Sequence, residues 1–398
     1  MPSKTDRNIR IFLSAGEVSG DLIGASLTSA LQDVCPGVSI WGVGGTRMEK
    51  AGVSILYKTN HMGAVGISEP MVTLPHVFRS FNRIRSYVTE SRPDVAVLIG
   101  YDFFNLVLSR WLRTRKVLTV SYFPPQIWIW KGIAAIIARS YDWILTSFEK
   151  EELTYREAGG QTAFVGHYLR DRIETIYPTQ RDEARKSLGL GNGRCVVGLL
   201  PGSRRHELER MTPVLLDVAR HILSRNSDAE FVMPIADTCF EMGLKCQIRK
   251  AGLNRCIHLS NDSRTAMPAC DLVILCSGTA TLEAALMGLP MIILYQVSLS
   301  TWITVDLLEM TGLIESKTVG LPNLLAGKKI VPEFIQSEVV PTEVANEAWD
   351  ILQDSARQDR MKQALASVCS ALGEKGGIER AARLILERAI QRRRDRGQ

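Results

Sequence analysis

The 398-residue chain is poor in the patterns that mark membrane-spanning, metal-binding and disulfide-bonded proteins. No apolar run reaches the ~18 residues of a membrane span. No signal-peptide pattern follows the polar start, so we expect a cytoplasmic protein. The eight cysteines form no C-x-x-C pair, and the six histidines lack the spacing of metal ligands. These absences predict reduced thiols, no metal site and no cofactor.

The excess of positive over negative charge is also small. The formal net charge is only +6, which suits a phosphate-bearing substrate or an anionic membrane surface. No DNA- or RNA-binding motif accompanies it, so we expect no nucleic-acid partner. Hydrophobic residues make up 45% of the chain, as is typical of a globular protein with a full core.

Short apolar runs alternate with helical patterns along the chain, which predicts an α/β protein with parallel, doubly wound sheets. The polar, glycine-rich segment 181–194 separates two such series. We therefore predict two Rossmann-like domains facing a cleft, at 1–180 and 181–340, followed by C-terminal helices at 341–398. These helices pack either on the first domain or on a second subunit of a homodimer. The predicted strands are 9–14, 39–43, 94–99, 117–121, 143–147, 162–165, 195–200, 230–235, 257–259, 272–275 and 291–294.

A polar turn follows the predicted strand 272–275 and leads into a helix. A helix start of this kind presents unpaired N–H groups and a positive dipole end, which bind phosphate. Glu283 is expected in the first helical turn, where a carboxylate can accept hydrogen bonds from sugar hydroxyls. An ordinary capped helix explains the same residues, with a threonine as the cap. The turn residues are Ser277, Gly278, Thr279, Ala280 and Thr281.

A second turn of this type follows the strand 195–200. Gly202 allows the backbone to approach a ligand, Ser203 can cap the next helix, and the planar fork of Arg204 can chelate phosphate oxygens. Two phosphate-suited turns in one half of the chain suggest a nucleotide-diphosphate site.

A third glycine-rich turn follows the first strand. Small residues there would let an acceptor phosphate or sugar reach backbone N–H groups, although capping roles explain Ser19 and Asp21 equally well. The turn and helix start contain Gly16, Glu17, Ser19, Gly20 and Asp21.

Six segments in this order resemble the lipid-A-disaccharide synthase family. They are AGEVSGDLIGASL, MGAVGISE, PGSRRHELERMTPVLL, FVGHYLRD, SGTATLEAALMGLPMIILY and LPNLLAGKKIVPEFIQ. The resemblance implies a metal-independent, inverting glycosyltransferase of the GT-B fold. Such an enzyme joins UDP-2,3-diacylglucosamine to 2,3-diacylglucosamine 1-phosphate (lipid X), releases UDP, and works at the inner face of the Gram-negative inner membrane.

The resemblance also implies roles for particular residues. Arg204, the N–H groups near Gly202 and Ser203, and the helix start at 277–281 would meet the charge of UDP. Glu283 would hold the ribose hydroxyls. Asn323 and Gln336 look like part of the donor side, although a simple turn role explains Asn323 equally well.

The chain departs from the family at residues 100–105 and 122–131. The family carries D-x-P-D-F-N, in which the second aspartate is a candidate base, whereas here Phe103 stands at that position and Asp102 replaces the proline. Either Asp102 supplies the catalytic carboxylate, with Glu17 or Asp21 as the other candidates, or the chemistry of the chain has diverged.

Residues 61–86 combine apolar bulk with arginines, which suits contact with an anionic bilayer. An amphipathic helix packed on the sheet is the simpler alternative. The membrane-facing candidates are Met71, Val72, Leu74, Phe78, Phe81, Arg79 and Arg83.

Two other functions fit the same sequence. One is a related UDP-sugar transferase or epimerase with a different acceptor. The other is a non-catalytic protein that binds a UDP-sugar or a lipid.

Overall fold

The computed structural model describes residues 9–16, 18–58, 70–100, 102–125, 133–176, 178–191, 193–235, 238–297 and 318–397. Within them the chain divides into two compact units. We call them unit 1 (the described parts of Met1–Asp171 and Leu372–Gln398) and unit 2 (those of Arg172–Trp302 and Ser316–Ala371). The last segment of the chain therefore belongs with the first.

Strands and helices alternate in both units. The strands are β1 (Arg10–Ala15), β2 (Ser39–Gly44), β3 (Ser54–Lys58), β4 (Val95–Ile99), β5 (Leu118–Tyr122), β6 (Trp143–Thr146), β7 (Thr162–Phe164), β8 (Val196–Leu200), β9 (Glu230–Pro234), β10 (Ile257–Ser260), β11 (Leu272–Cys276), β12 (Met291–Tyr295) and β13 (Glu333–Ile335). The helices are α1 (Val18–Val34), α2 (Thr46–Lys50), α3 (Pro70–Glu90), α4 (Asp102–Thr114), α5 (Ala134–Ser140), α6 (Glu149–Glu157), α7 (Pro178–Ser187), α8 (Arg205–Leu223), α9 (Glu241–Lys250), α10 (Ser263–Ala266), α11 (Thr279–Leu286), α12 (Leu321–Ala326), α13 (Pro341–Gln353), α14 (Ser355–Ser370) and α15 (Gly377–Gly397).

In unit 1 the described strands form a parallel sheet in the order β3-β2-β1-β4-β5-β6-β7. Helices α3, α4 and α5 share one hydrophobic cluster on one face of this sheet, while α1 and α15 pack together and contact strands of the same sheet. Because helices cover the inner strands, β4 and β5 are buried along their whole length. This burial explains why β4 is an unbroken apolar run and why the polar residues of β5 are the small Thr119 and Ser121.

Unit 2 repeats the architecture with the strand order β10-β9-β8-β11-β12-β13. In each sheet the winding direction reverses between two neighbouring strands, β1 and β4 in unit 1 and β8 and β11 in unit 2. At such a switch point the two connections leave in opposite directions, and the carboxyl ends of the strands are left open to a ligand. The fold thus confirms the predicted pair of doubly wound parallel sheets.

Hydrogen bonds fasten the C-terminal helix α15 to unit 1. The Asp171 carboxylate accepts from Gly376 N at 2.5 Å and from Ile378 N at 3.0 Å, so it caps the start of this helix. Arg380 Nε donates to Val165 O at 3.0 Å, and α15 also packs on α1. In this chain the last helix therefore completes the first unit.

Candidate functional site

The two phosphate-suited turns of unit 2 lie next to each other. β8 and β11 pair in parallel, with Leu200 beside Leu275 at their carboxyl ends. The turn 201–203 leaves β8 for α8, and the turn 277–278 leaves β11 for α11. Two helix N-termini therefore open at the switch point of one sheet, where their dipoles favour an anion.

The carboxylate of Glu207 binds the backbone N–H groups of the first turn. Its Oε2 accepts from Ser203 N at 2.8 Å and from Arg204 N at 3.1 Å. Gly202 has a φ of +110°, and a Cβ at that position would lie 2.4 Å from Glu207 Oε2. The glycine is required both by this backbone conformation and by the space that the carboxylate occupies. The N–H groups that the sequence assigned to a ligand are thus bonded to Glu207 here.

The guanidinium group of Arg204 lies beside the same turn. Its NH1 lies 3.2 Å from Glu207 Oε1, and about half of the side chain is exposed. The neighbouring Arg205 pairs with Glu209 further along the helix surface. In the described part of the chain, no group of three or more His, Cys, Asp and Glu residues is placed to hold a metal ion. Arg204 and Arg205 both bring positive charge to this turn.

The second turn leaves the start of α11 open. Ser277 Oγ donates to Val319 O at 2.8 Å, and this hydrogen bond holds the turn in place. Gly278 and Thr279 are exposed, while Thr281 is buried and its hydroxyl donates to Gly278 O at 2.7 Å. Thr281 N bonds to Gly278 O, whereas the N–H groups of Thr279 and Ala280 begin the helix and can point to an anion.

Glu283 lies one turn further along α11 than the sequence suggested, as the fifth residue of the helix. Its Oε2 accepts from Ser263 Oγ at 3.4 Å. Burial raises the pKa of the Glu283 carboxyl, while the hydrogen bond from Ser263 and the charges of Arg264 and Arg172 act in the opposite direction. A half-buried carboxylate beside a helix start can accept hydrogen bonds from a sugar diol.

Asn323 is buried within unit 2 and its side chain is fully engaged. Its Nδ2 donates to Val331 O at 2.9 Å and to Glu333 Oε1 at 2.7 Å. Its Oδ1 accepts from Ile330 N at 2.7 Å and from Val331 N at 3.0 Å. These four bonds use all the hydrogen-bonding capacity of a primary amide.

Gln336, the other predicted donor-side residue, is also tied to the backbone. Its Oε1 accepts from Val297 N at 2.8 Å, and its carbonyl accepts from Gln296 Nε2 at 3.1 Å. Its own backbone has a φ of +52°. The described contacts of Asn323 and Gln336 are therefore structural ones.

In unit 1, Asn105 joins the two turns at the switch point. Its Oδ1 accepts from Ser14 Oγ at 2.7 Å, and its Nδ2 donates to Gly100 O at 2.6 Å. Gly16 follows β1 directly, and Ser19 lies in the first turn of α1. A Cβ on Gly20 would lie 3.3 Å from Ala15 Cβ, so this small residue allows α1 to pack closely on the strand. Glu17 lies outside the described residues.

Asp21 is buried and caps the short helix α2. Its Oδ1 accepts from Gly45 N at 2.8 Å and Met48 N at 3.0 Å, and its Oδ2 accepts from Arg47 N at 3.0 Å. A carboxylate held by three backbone donors stabilises a helix start.

We expect Asp21→Asn to lower the free energy of unfolding by about 1–3 kcal/mol, because the amide turns an N–H group toward backbone donors. Turnover per folded molecule should stay near that of the native protein. Urea denaturation and a steady-state assay measure the two quantities, and Asp33→Asn on the exposed side of α1 is the matched control. A stable but inactive Asp21→Asn protein would instead make this carboxylate the base.

The departure at residues 100–105 lies where β4 ends and α4 begins. Phe104 and Asn105 are buried at the places where Phe-Asn of the family motif would stand. Asp102 is the first residue of α4, and its side chain lies outside the described part. Phe103 is 81% exposed. A large apolar side chain is therefore exposed in the first turn of α4, where the resemblance leads us to expect an aspartate.

The membrane-facing candidates on α3 differ in their exposure to solvent. Arg79 and Arg83 are exposed, whereas Phe81 packs edge-on against Phe104 at 6.4 Å and against Trp111 at 5.9 Å. The side chains of the other candidates, Met71, Val72, Leu74 and Phe78, lie outside the described part, as do residues 126–131 of the second departure. Among the described helices, none combines the length and the apolarity needed to cross a bilayer.

Several functional candidates escaped the sequence analysis. Glu207 was visible only as an acidic residue three positions after Arg204, a spacing typical of a capping box. Ser263, Arg264 and Arg172 come from distant parts of the sequence and surround Glu283 only in the folded chain. No local signal could have found them.

Known proteins resemble the chain along nearly its whole length. The family model for lipid-A-disaccharide synthetase matches residues 11–386. The lipid-A-disaccharide synthase of Geobacter sulfurreducens is 38% identical over 383 residues, which cover 95% of this chain and 97% of that protein.

Solved structures share the fold at low identity. The complex of S. aureus MnaA with UDP has a TM-score of 0.62 at 12% identity, covering 93% of this chain and 94% of that one. MurG of Acinetobacter baumannii has a TM-score of 0.55 at 13% identity, covering 95% and 99%. These similarities establish a two-domain α/β fold of the GT-B type.

Proposed function

The chain belongs to the lipid-A-disaccharide synthase family, and we propose that it joins UDP-2,3-diacylglucosamine to 2,3-diacylglucosamine 1-phosphate with inversion at the transferred carbon. The chain is a glycosyltransferase of lipid A disaccharide synthesis. The exact donor and acceptor, the stereochemistry and the residues that act are our proposal.

The arrangement in unit 2 carries this proposal. Arg204 and the open start of α11 lie at the carboxyl ends of two paired strands, with Glu283 one turn further on. The donor diphosphate would lie against the guanidinium and the N–H groups of Thr279 and Ala280, and the Glu283 carboxylate would accept from the ribose hydroxyls. Arginine suits a diphosphate because its planar fork binds two oxygens at once.

The transfer requires one base and one stabilised leaving group. The base removes the proton from the acceptor 6-hydroxyl as its oxygen attacks the anomeric carbon of the donor. The bond from that carbon to the UDP oxygen breaks, and UDP leaves with the electron pair. Arg204 and the α11 dipole stabilise the developing negative charge, so they act most strongly in the transition state.

Asp102 is our proposed base, because it begins α4 at the switch point of unit 1. Glu17 is the alternative, since Asp21 is held by the backbone of α2. We expect Asp102→Asn to lower kcat by about 10²-fold or more, because an amide cannot accept the proton. Asp33→Asn, the same change at an exposed site of α1, should leave kcat unchanged. Near-normal turnover of Asp102→Asn would transfer the role to Glu17.

The decisive experiment incubates the purified protein with both lipid precursors and follows UDP and disaccharide. Formation of both products supports the proposal. UDP binding without turnover would favour a non-catalytic binding protein. Conversion of the UDP-sugar in the absence of acceptor would favour an epimerase.

The acyl chains of both substrates require a membrane partner. We place the protein in the cytoplasm, peripherally bound to the anionic inner face of the inner membrane. The exposed Arg79 and Arg83 of α3 support this placement.

A further inference from the structure

A carboxylate lies inside the positively charged part of the donor site. Glu207 Oε2 accepts from Ser203 N at 2.8 Å and from Arg204 N at 3.1 Å, while its Oε1 lies 3.2 Å from Arg204 NH1. The Glu207 side chain is only 22% exposed. One carboxylate oxygen therefore holds the backbone of the turn, and the other holds the guanidinium that we assign to the donor diphosphate.

Two half-buried side chains show which way this carboxylate faces. Cys276 ends β11 directly before the second turn, and Tyr295 ends β12. Burial raises the pKa of the Cys276 thiol and of the Tyr295 phenol, and the negative charge of Glu207 raises both pKa values further. The charge of Glu207 thus acts at the carboxyl ends of these strands, on the side where α11 begins.

The first turns of α8 are anchored at this place. Arg210, in the turn that follows Glu207, donates from NH1 to Gln296 O at 3.2 Å, directly after the end of β12. Gly202 leaves the space that the Glu207 carboxylate occupies, since a Cβ there would lie 2.4 Å from Oε2. We therefore expect the carboxylate to stay beside Arg204 when a ligand binds.

Helix capping by Glu207 does not require its negative charge. Glutamine serves as well as glutamate at this position of a capping box, because only a side-chain oxygen has to accept from the backbone N–H group. The charge has a cost for the site, however. Glu207 already uses one donor of the Arg204 guanidinium, so a diphosphate would bind the remaining donors of the same group, ~6 Å from the carboxylate.

The repulsion between this carboxylate and the ligand differs between substrate and product. Both phosphates of a UDP-sugar are esterified on two sides and carry one negative charge each. The terminal phosphate of free UDP loses a second proton near pH 6, so UDP carries about one more negative charge at neutral pH. Two unit charges ~6 Å apart in water-like surroundings repel enough to weaken binding about threefold. Free UDP is therefore repelled more strongly than the UDP-sugar.

We propose that Glu207 is a specificity-determining residue of the donor site, which shares Arg204 with the diphosphate and disfavours free UDP relative to the UDP-sugar. This role rests on the proposed function, because it requires the diphosphate at Arg204. The consequence is that UDP leaves after each transfer and inhibits the enzyme less than it would at a purely basic site.

Two ligands that differ by this charge alone test the role of Glu207. They are UDP and UDP methylated on its terminal phosphate, titrated calorimetrically into the full-length protein. Glu207→Gln keeps the capping oxygen and removes the charge, so we expect it to raise the affinity for UDP about 10-fold and that for the methyl ester about threefold. The inhibition constant of UDP in the transferase assay should fall by about 10-fold as well.

Glu209→Gln is the matched control. Glu209 lies on the next turn of the same helix and pairs with Arg205 at the surface, so its replacement should change both affinities by less than about twofold. Thermal unfolding of Glu207→Gln shows whether the capped turn is kept. The ratio of the two affinities remains valid even if the variant is less stable, because both ligands bind the same folded fraction.

The outcomes separate this role from the proposed function. Glu207→Gln affinities that change equally for both ligands, or that do not change, would overturn the role and leave the proposed function in place. A shifted ratio in a native protein that forms no disaccharide would contradict the proposed function alone. Failure of the native protein to bind either ligand would contradict the proposed donor site and this role with it.

Discussion

Replacement of Arg204 by alanine is expected to lower kcat/KM for the UDP-sugar by about 10²–10³-fold, the largest effect on activity that we predict. The guanidinium lies at the switch point of unit 2 beside the open start of α11, where the leaving diphosphate gains charge. Its removal leaves the helix dipole as the main positive field. The dipole contributes much less than a bidentate arginine.

Two control variants make this prediction specific. Arg205→Ala removes the next residue along the chain, which pairs with Glu209 on the surface, and should leave kcat/KM within about twofold. Arg204→Lys keeps the charge but loses the planar fork, so its kcat/KM should lie between those of Ala and Arg. Equal losses in Arg204→Ala and Arg205→Ala would mean that the diphosphate binds elsewhere.

Replacement of Asn323 by alanine should lower the free energy of unfolding by about 3–5 kcal/mol, the largest effect on stability that we predict. The change leaves Ile330 N, Val331 N and Val331 O without the bonds that the amide supplies, and it removes one donor to Glu333. Burial already raises the pKa of the Glu333 carboxyl, so loss of a donor is costly there.

Denaturant titration measures the stability of this variant. Asn346→Ala is the control, because Asn346 makes its described hydrogen bond with Arg225 at the surface and should change stability by less than about 0.5 kcal/mol. The affinity of the folded Asn323→Ala protein for UDP should be near native. If the Asn323→Ala protein were stable but no longer bound UDP, Asn323 would be part of the donor site.

The inner strands of both sheets could be predicted from the sequence, whereas two edge strands could not. β4, β5, β8 and β9 are buried throughout, and each is mostly apolar in sequence. β3 and β13 lie at the outer edges, and β3 is exposed at both ends. A short, half-exposed strand shows neither an apolar run nor a clear alternation, so it is read as a connection.

The positions of the site turns were predictable for a related reason. Each turn directly follows an apolar strand, and the carboxyl ends of parallel strands share one edge. The contacts inside the turns were not predictable, because they depend on side chains that meet only after folding. Asp21 caps a helix that starts 25 residues later, and Glu207 occupies amides that a ligand was expected to bind.

Helix α15 packs on α1, although all of unit 2 lies between them in the sequence. A ribosome therefore synthesises α1 early and α15 only after unit 2 has emerged. Until then the side of α1 that packs on α15 stays uncovered, and unit 1 lacks its last helix during most of translation. The unit that is begun first thus receives its last helix only at the end of synthesis.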